Sequence, residues 1–330
     1  MTGWTDELRA RLAERLGPVD VGEPWLLPGG ASKEAWAVDA VTVDGPLPLL
    51  VRRAAGGVIH ADTLTLEHEH QVIEVAYDAG VAVPRPYGYL GELGGREAFA
   101  LERVQGETIG RRIVQRSELA AAREALPLQL AEALAKVHAI ELDALPFLRE
   151  RDVLERFEDE LDSVEEPHPA IELGLRWLHD HRPELLPPVV CHGDFRLGNV
   201  VVSDRGLEYL LDWEFAHAGD PREDVAWPLV RAWRFGVDEK RLAGIGDLEP
   251  YLERYVELTG HPVAAEDLFW WEVLGNVNWA VGSLTQSRRH LRGEERSVEL
   301  AVLGRLAAER EYELVDLLRR QAPARDARAR

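Results

Sequence analysis

The chain is 330 residues long and 46% hydrophobic, enough for two lobes around a real core, and its formal net charge of −21 excludes nucleic acid as a partner, since that contact needs a basic face. A single cysteine, Cys191, excludes both an intramolecular disulfide framework and a thiolate metal cage. No run approaches the roughly 20 apolar residues that cross a bilayer, and Met1-Thr2-Gly3-Trp4-Thr5-Asp6-Glu7 lacks the basic-then-apolar order of a signal peptide, so a cytoplasmic protein without a membrane partner is expected.

Residues 6–16 have the spacing of a short amphipathic helix. After Pro28-Gly29-Gly30-Ala31-Ser32-Lys33-Glu34, strands are predicted over 35–43 and 47–53, joined by the turn Asp44-Gly45-Pro46. Two strands beneath a glycine turn make a lid that can close over phosphates. Asp62 or Thr63 is placed to cap a helix over 64–79 that Gly80 ends. Within it Glu69 shares a face with Leu66, Val72 and Ile73, and a carboxylate on an apolar face needs a partner. Further strands are predicted over 81–86 and 99–102, then a connector at Arg103-Val104-Gln105-Gly106. Helices dominate from 117 onward, one of them over 128–140.

His138 in that helix reads as a hydrogen-bonded core histidine, and the pairs His68/His70 and His179/His181 point apart at i and i+2, so they form no zinc site. Trp233, Trp270, Trp271 and Trp279 read mainly as core, with stacking on a substrate as the other use. Ser287-Arg288-Arg289-His290-Leu291-Arg292 is a basic cluster, either a solvated helix end or a reader of carboxylate or phosphate.

The most informative stretch is Cys191-His192-Gly193-Asp194-Phe195-Arg196-Leu197-Gly198-Asn199, followed by Leu211-Asp212-Trp213-Glu214. A kinase catalytic loop sets an Asp and an Asn at this interval, the Asp for the acceptor hydroxyl and the Asn for Mg²⁺, with a second metal-holding Asp downstream. Between Asn199 and Asp212, Val200-Val201-Val202, the turn Ser203-Asp204-Arg205-Gly206 and residues 207–211 read as a hairpin returning to the same edge. Asp194, Asn199 and Asp212 are therefore expected to converge.

This segment resembles the aminoglycoside phosphotransferase and choline kinase superfamily, whose mark is H-G-D-x-x-x-x-N followed by D-W/F-E/D. With Gly219-Asp220-Pro221-Arg222-Glu223-Asp224-Val225-Ala226-Trp227, the match is similar to a branch that includes the kinase-like domain fused to certain acyl-CoA dehydrogenases. The likeness runs, more weakly, over about residues 29–318.

The resemblance implies an α+β, bilobal protein-kinase-like fold, with a small antiparallel-sheet lobe over 1–103 and a larger, mainly helical lobe over 104–330. It implies ATP and Mg²⁺, with Asp194 serving the acceptor hydroxyl and Asn199 and Asp212 the metal. Gly29, Gly30, Ser32 and Lys33 would lie over the phosphates, and Glu102 and Val104 beside the adenine. Arg52 stands where kinases carry the strand Lys that pairs with a helix Glu, here Glu69, and Lys33 is the rival cation. His192 and Gly193 shape the loop, and Asp224 supports it from below. Only eleven residues separate Asp212 from Asp224, too few for a phosphorylatable activation segment, so the acceptor is expected to be a small molecule. A hydroxyacyl or other anionic metabolite fits the branch and the basic cluster, and an aminoglycoside fits the overall acidity. The alternative is a nucleotide-binding pseudokinase with a regulatory or scaffold role.

Overall fold

The computed structural model describes residues 3–28, 33–55, 63–150 and 152–321; Gly29, Gly30, Ser32 and the candidate cap Asp62 lie outside them. Helix α1 (Thr5–Leu16) leads into β1 (Val19–Val21) and β2 (Trp25–Leu26), which both pair with β3 (Lys33–Thr42). A two-residue turn, Val43-Asp44, sends the chain back into β4 (Gly45–Ala54). Helix α2 (Leu66–Asp78) is capped by the Thr65 side chain, which accepts the His68 N–H. Then come β5 (Pro86–Leu93) and β6 (Arg96–Glu102).

The resulting antiparallel sheet has the order β1-β3-β4-β6-β5, with β2 beside β3. Strand β6 pairs only with Leu49 to Arg53 of β4, so Pro46 and Pro48 fall on a stretch that β6 does not reach, where a missing N–H breaks no ladder. The sheet is buried on both faces. Under α1 lies a small core of Trp4, Leu8, Leu12, Val38, Val51 and Leu90, while on the other face Val72, Ile73 and Phe99 join the main core of the molecule.

The strand expected over 81–86 is not one. Pro84 and Pro86 cannot donate to a ladder, and Ala82 instead gives its carbonyl to the Leu210 N–H. The strand beside β6 is β5, whose register shifts near Gly88 and Gly91 disguise it as a turn.

Past the connector come α3 (Gly110–Gln115) and α4 (Ala120–His138), which runs through Pro127 and so begins eight residues before the predicted start at 128. Helices α5 (Val153–Asp162) and α6 (Pro169–Asp180) follow. A short irregular segment carries β7 (Val189–Cys191), the hairpin β8 (Val200–Ser203) and β9 (Gly206–Leu210), and β10 (His217–Gly219), which pairs with β7. Helices α7 (Pro221–Ala226), α8 (Leu248–Thr259), α9 (Leu268–Leu291) and α10 (Val298–Gln321) complete the lobe.

Trp270 and Trp271 are core, the first donating to the Leu178 carbonyl at 3.0 Å. The basic cluster at the end of α9 is tied internally: Arg288 pairs with Glu166 at 3.1 Å and Arg289 with Glu295 at 2.7 Å. The architecture is the kinase-like one, a curled antiparallel sheet beside a helical C-terminal region. No helix among the described residues is long and apolar enough to cross a membrane.

Candidate active site

Strand β7 delivers Cys191 to a loop whose backbone is held from below by one carboxylate. Asp224, in α7, accepts the N–H of His192 at 2.6 Å and of Gly193 at 2.9 Å. It also takes Nε2 of His138 at 3.2 Å, while the Tyr255 hydroxyl lies 2.6 Å from that ring's Nδ1. Burial works against the Asp224 charge, but the His138 contact and the backbone donor outweigh it and hold the carboxyl below its ordinary range. The supporting role expected of Asp224 and the core role expected of His138 are thus one network.

His192 is fixed on both ring nitrogens: Nδ1 accepts the Asp194 N–H at 3.2 Å, which leaves Nε2–H to donate to the Leu211 carbonyl at 3.0 Å. The imidazole therefore welds the loop to the strand end before Asp212. Gly193 has φ 78°, and a Cβ there would sit 2.3 Å from the Phe215 carbonyl oxygen, so only glycine fits.

The Asp194 carboxylate faces three donors. Trp227 Nε1 reaches Oδ1 at 2.7 Å, Asn199 Nδ2 reaches Oδ2 at 2.6 Å, and Arg196 Nε is shared between the two oxygens at 2.9 and 3.2 Å. Asn199 Nδ2 also donates to the Asp194 carbonyl at 3.0 Å. Its amide nitrogen is committed, so Oδ1 is the Asn199 atom that could hold a cation.

Asp212 sits at φ 67°, just after Leu211, whose N–H bonds the Asn199 carbonyl at 2.8 Å. That bond extends the β8–β9 ladder by one step, so the chain returns to the edge it left at Asn199 just before Asp212. Burial opposes its charge, but Arg52 first, then Lys33, Arg196 and His192, hold the carboxyl below the usual range. Two oxygen donors of this kind suit a hard cation that keeps water and phosphate in its other positions.

The expected Arg52–Glu69 pair does not form. Glu69 takes the Lys33 ammonium, and Lys33 also lies 3.0 Å from Glu214, while Arg52 Nη2 pairs with Asp212 Oδ1 at 3.1 Å. Lys33 and Glu69 are 4% and 1% exposed, so this is an interior ion pair. Burial and the neighbouring Asp212 push the Glu214 carboxyl up, against the pull of Lys33. Arg52 Nε has no acceptor among the described residues. In the connector, Glu102 N–H bonds the Arg85 carbonyl at 2.8 Å, whereas the Val104 backbone bonds no other backbone group among the described residues.

Asp194, Asp212 and Arg52 form one end of a cavity of about 320 Å³. Its other walls are Trp227, Trp233, Trp279, Leu300 and Leu303, with the guanidinium groups of Arg156 and Arg196. Arg196 lies over the Trp233 ring at 4.6 Å, and Trp233 packs on Trp227 at 5.4 Å and on Trp279 at 4.9 Å. Sequence reasoning gave no role to Arg196 or Trp227. Both stand inside the quoted motifs, so their proximity to Asp194 was available as a signal, whereas nothing local marks Arg156 or Trp279.

The model of the phosphotransferase enzyme family (APH) matches residues 26–266. Mouse acyl-CoA dehydrogenase family member 10 is 27% identical over 237 residues, which is 65% of this chain and 22% of that protein, so the chain spans about a fifth of its relative's length. A putative aminoglycoside phosphotransferase from Ralstonia eutropha JMP134 superposes with a TM-score of 0.75 at 21% identity, covering 96% of this chain and 98% of that one. A spectinomycin phosphotransferase, solved with ADP and spectinomycin, gives 0.62 at 15% identity over 94% of this chain and 96% of that one. The match over 26–266 decides the family: the chain belongs to the phosphotransferase enzyme family.

Proposed function

We propose that this enzyme transfers the γ-phosphoryl group of ATP, with Mg²⁺, to a hydroxyl of a small acceptor bound in the tryptophan-walled cavity. The observation that carries this reading is that Asp194 and Asp212 line one cavity of about 320 Å³. Asp194 orients the acceptor hydroxyl and takes its proton as the new O–P bond forms and the bond from the γ-phosphorus to the ADP oxygen breaks. Asn199 Oδ1 and Asp212 would hold the metal, which would supply positive charge to offset that of the phosphates. The family resemblance assigns Gly29, Gly30 and Ser32 to phosphate binding, and the Val104 backbone and Glu102 to the adenine edge. Arg52, with Nε unsatisfied, clamps phosphate. Lys33 holds α2 against the Asp212-Trp213-Glu214 segment through Glu69 and Glu214.

The cavity chemistry favours an anionic acceptor with an apolar body, such as a hydroxyacyl compound. Indole and leucine walls suit the body, and Arg156 and Arg196 suit a carboxylate or phosphate. An aminoglycoside acceptor is the second reading, supported by the net charge of −21 and by the spectinomycin held by one structural relative. Incubation with Mg²⁺, ATP or GTP, and panels of hydroxy acids, hydroxyacyl thioesters and aminoglycosides, read by mass spectrometry, tests both. A gain of one phosphoryl group on a hydroxy acid or thioester supports the first reading. Transfer to aminoglycosides alone replaces it, and transfer to no small alcohol overturns the proposal.

A further inference from the structure

Asp194 can serve an acceptor only if its carboxylate is held in one orientation, and the group best placed to hold it is Trp227. The indole N–H reaches Oδ1 at 2.7 Å from a ring that is 8% exposed. Its seat is built. Helix α9 carries Gly275 opposite the ring, where an added Cβ would lie 3.2 Å from Cε3 and Cζ3 of Trp227 and 2.7 Å from a Val230 methyl. A glycine inside a helix is disfavoured, so the notch marks a position where the neighbour's fit outweighs helix propensity. Trp233 closes the other side at 5.4 Å. Trp227 also follows Asp224 by three residues, one turn along. One short segment thus grips the catalytic loop twice, Asp224 by the backbone of His192 and Gly193, and Trp227 by the side chain of Asp194.

The same indole lines the acceptor cavity. We infer that Trp227 is a positioning residue: it sets the rotamer of Asp194 through its N–H and supports the acceptor on its ring, so that a single rigid group registers the hydroxyl against the carboxylate. This rests on the assignment of Asp194 to the acceptor hydroxyl. The other donors are less suited to the task. Arg196 divides one N–H between both oxygens, and Asn199 also serves the Asp194 carbonyl.

Trp227→Phe keeps an aromatic ring in the notch and removes only the donor. ADP formation from MgATP with water as acceptor is the rate probe, and the indole N–H resonances of the full chain report the contact. In Trp227→Phe, kcat is expected to fall roughly ten- to a hundredfold, as for a misplaced reacting group, with KM for ATP unchanged. In the parent, one indole N–H resonance, absent from Trp227→Phe, is expected downfield and moves upfield in Asp194→Asn. A purely structural role would lower the melting temperature of Trp227→Phe and leave its kcat at the parental value, which overturns the inference. So does an indole spectrum that ignores Asp194→Asn, a readout that needs no change at position 227. If Asp194→Asn keeps the parental rate, the base assignment itself fails and the inference falls with it. An inert Asp194→Asn beside a fully active Trp227→Phe removes this inference alone.

Discussion

The two sides of the site are held together in different ways. The Asp194 loop is fixed mainly by hydrogen bonds among buried groups, with one ion pair from Arg196 to Asp194: Asp224 to two backbone N–H groups and His138, His192 to Asp194 and Leu211, Trp227 and Asn199 to the Asp194 carboxylate. The nucleotide side is fixed by ions, with Lys33 shared between Glu69 and Glu214, and Arg52 on Asp212. Hydrogen bonds among buried groups make a rigid frame, as does the interior Lys33 pair, whereas the part-exposed Arg52–Asp212 pair on the cavity wall is one that phosphate and metal could replace. Acceptor chemistry needs the first property and nucleotide exchange the second.

Breaking the frame should cost most. Asp224→Ala strands two backbone N–H groups and the His138 ring, and we expect a loss of roughly 3–5 kcal/mol in denaturant unfolding, with activity lost alongside stability. A loss under about 1 kcal/mol, the size of an ordinary substitution, would mean that the loop stands without its support. Because the folded Asp224 carboxyl lies below its ordinary value of 3.8, its contribution is present above that pH and fades as the pH falls through the lowered value.

On the ionic side the two cations should separate. Lys33→Met leaves Glu69 and Glu214 buried without their shared cation, so stability should drop by about 3 kcal/mol at neutral pH. Part of it should return on acidification as Glu214, whose carboxyl burial and Asp212 already push up, protonates. Arg52→Ala, at a part-buried position on the cavity wall, should disturb folding less than Lys33→Met but weaken MgATP binding by about tenfold, the scale of one charged hydrogen bond. Calorimetry and melting curves on both variants check the contrast. A larger nucleotide effect at Lys33 than at Arg52 would exchange their roles.

A smaller effect concerns His70, 2% exposed on α2. Burial, then the charge of Arg15, lowers its pKa from 6.5 to about 4. The unfolded chain therefore binds the extra proton first, so this residue should cost stability as the pH falls from about 6.5 to 4, and should cost nothing above that window. His70→Gln should flatten that part of the melting-temperature profile, and an unchanged slope would assign it to other groups.

The geometry of the Asp194 loop was legible because it is written in contiguous spacing: a loop and a hairpin bring Asp194 and Asp212 to one cavity. The ion pairs were not. In the β3–β4 register Lys33 faces Ala54 and Ala35 faces Arg52, so Lys33 and Arg52 are diagonal neighbours on one face of the sheet. Which of them meets Glu69 depends on side-chain reach across strands, and sequence spacing does not encode that. The strand at 81–86 failed for a local reason, the missing N–H groups of Pro84 and Pro86. Arg156 and Trp279 come to the cavity from α5 and α9, brought there by helix packing alone.

The central claim is that Asp194 serves the acceptor hydroxyl within a loop held rigid by Asp224 and Trp227. Asp194→Asn, measured at saturating MgATP, tests it most directly, with nucleotide affinity from calorimetry and ADP formation from the same preparation. The account predicts parental MgATP binding together with a loss of turnover of roughly 10²–10⁴. Parental turnover with bound MgATP would contradict it, leaving Asp194 only a part in shaping the loop.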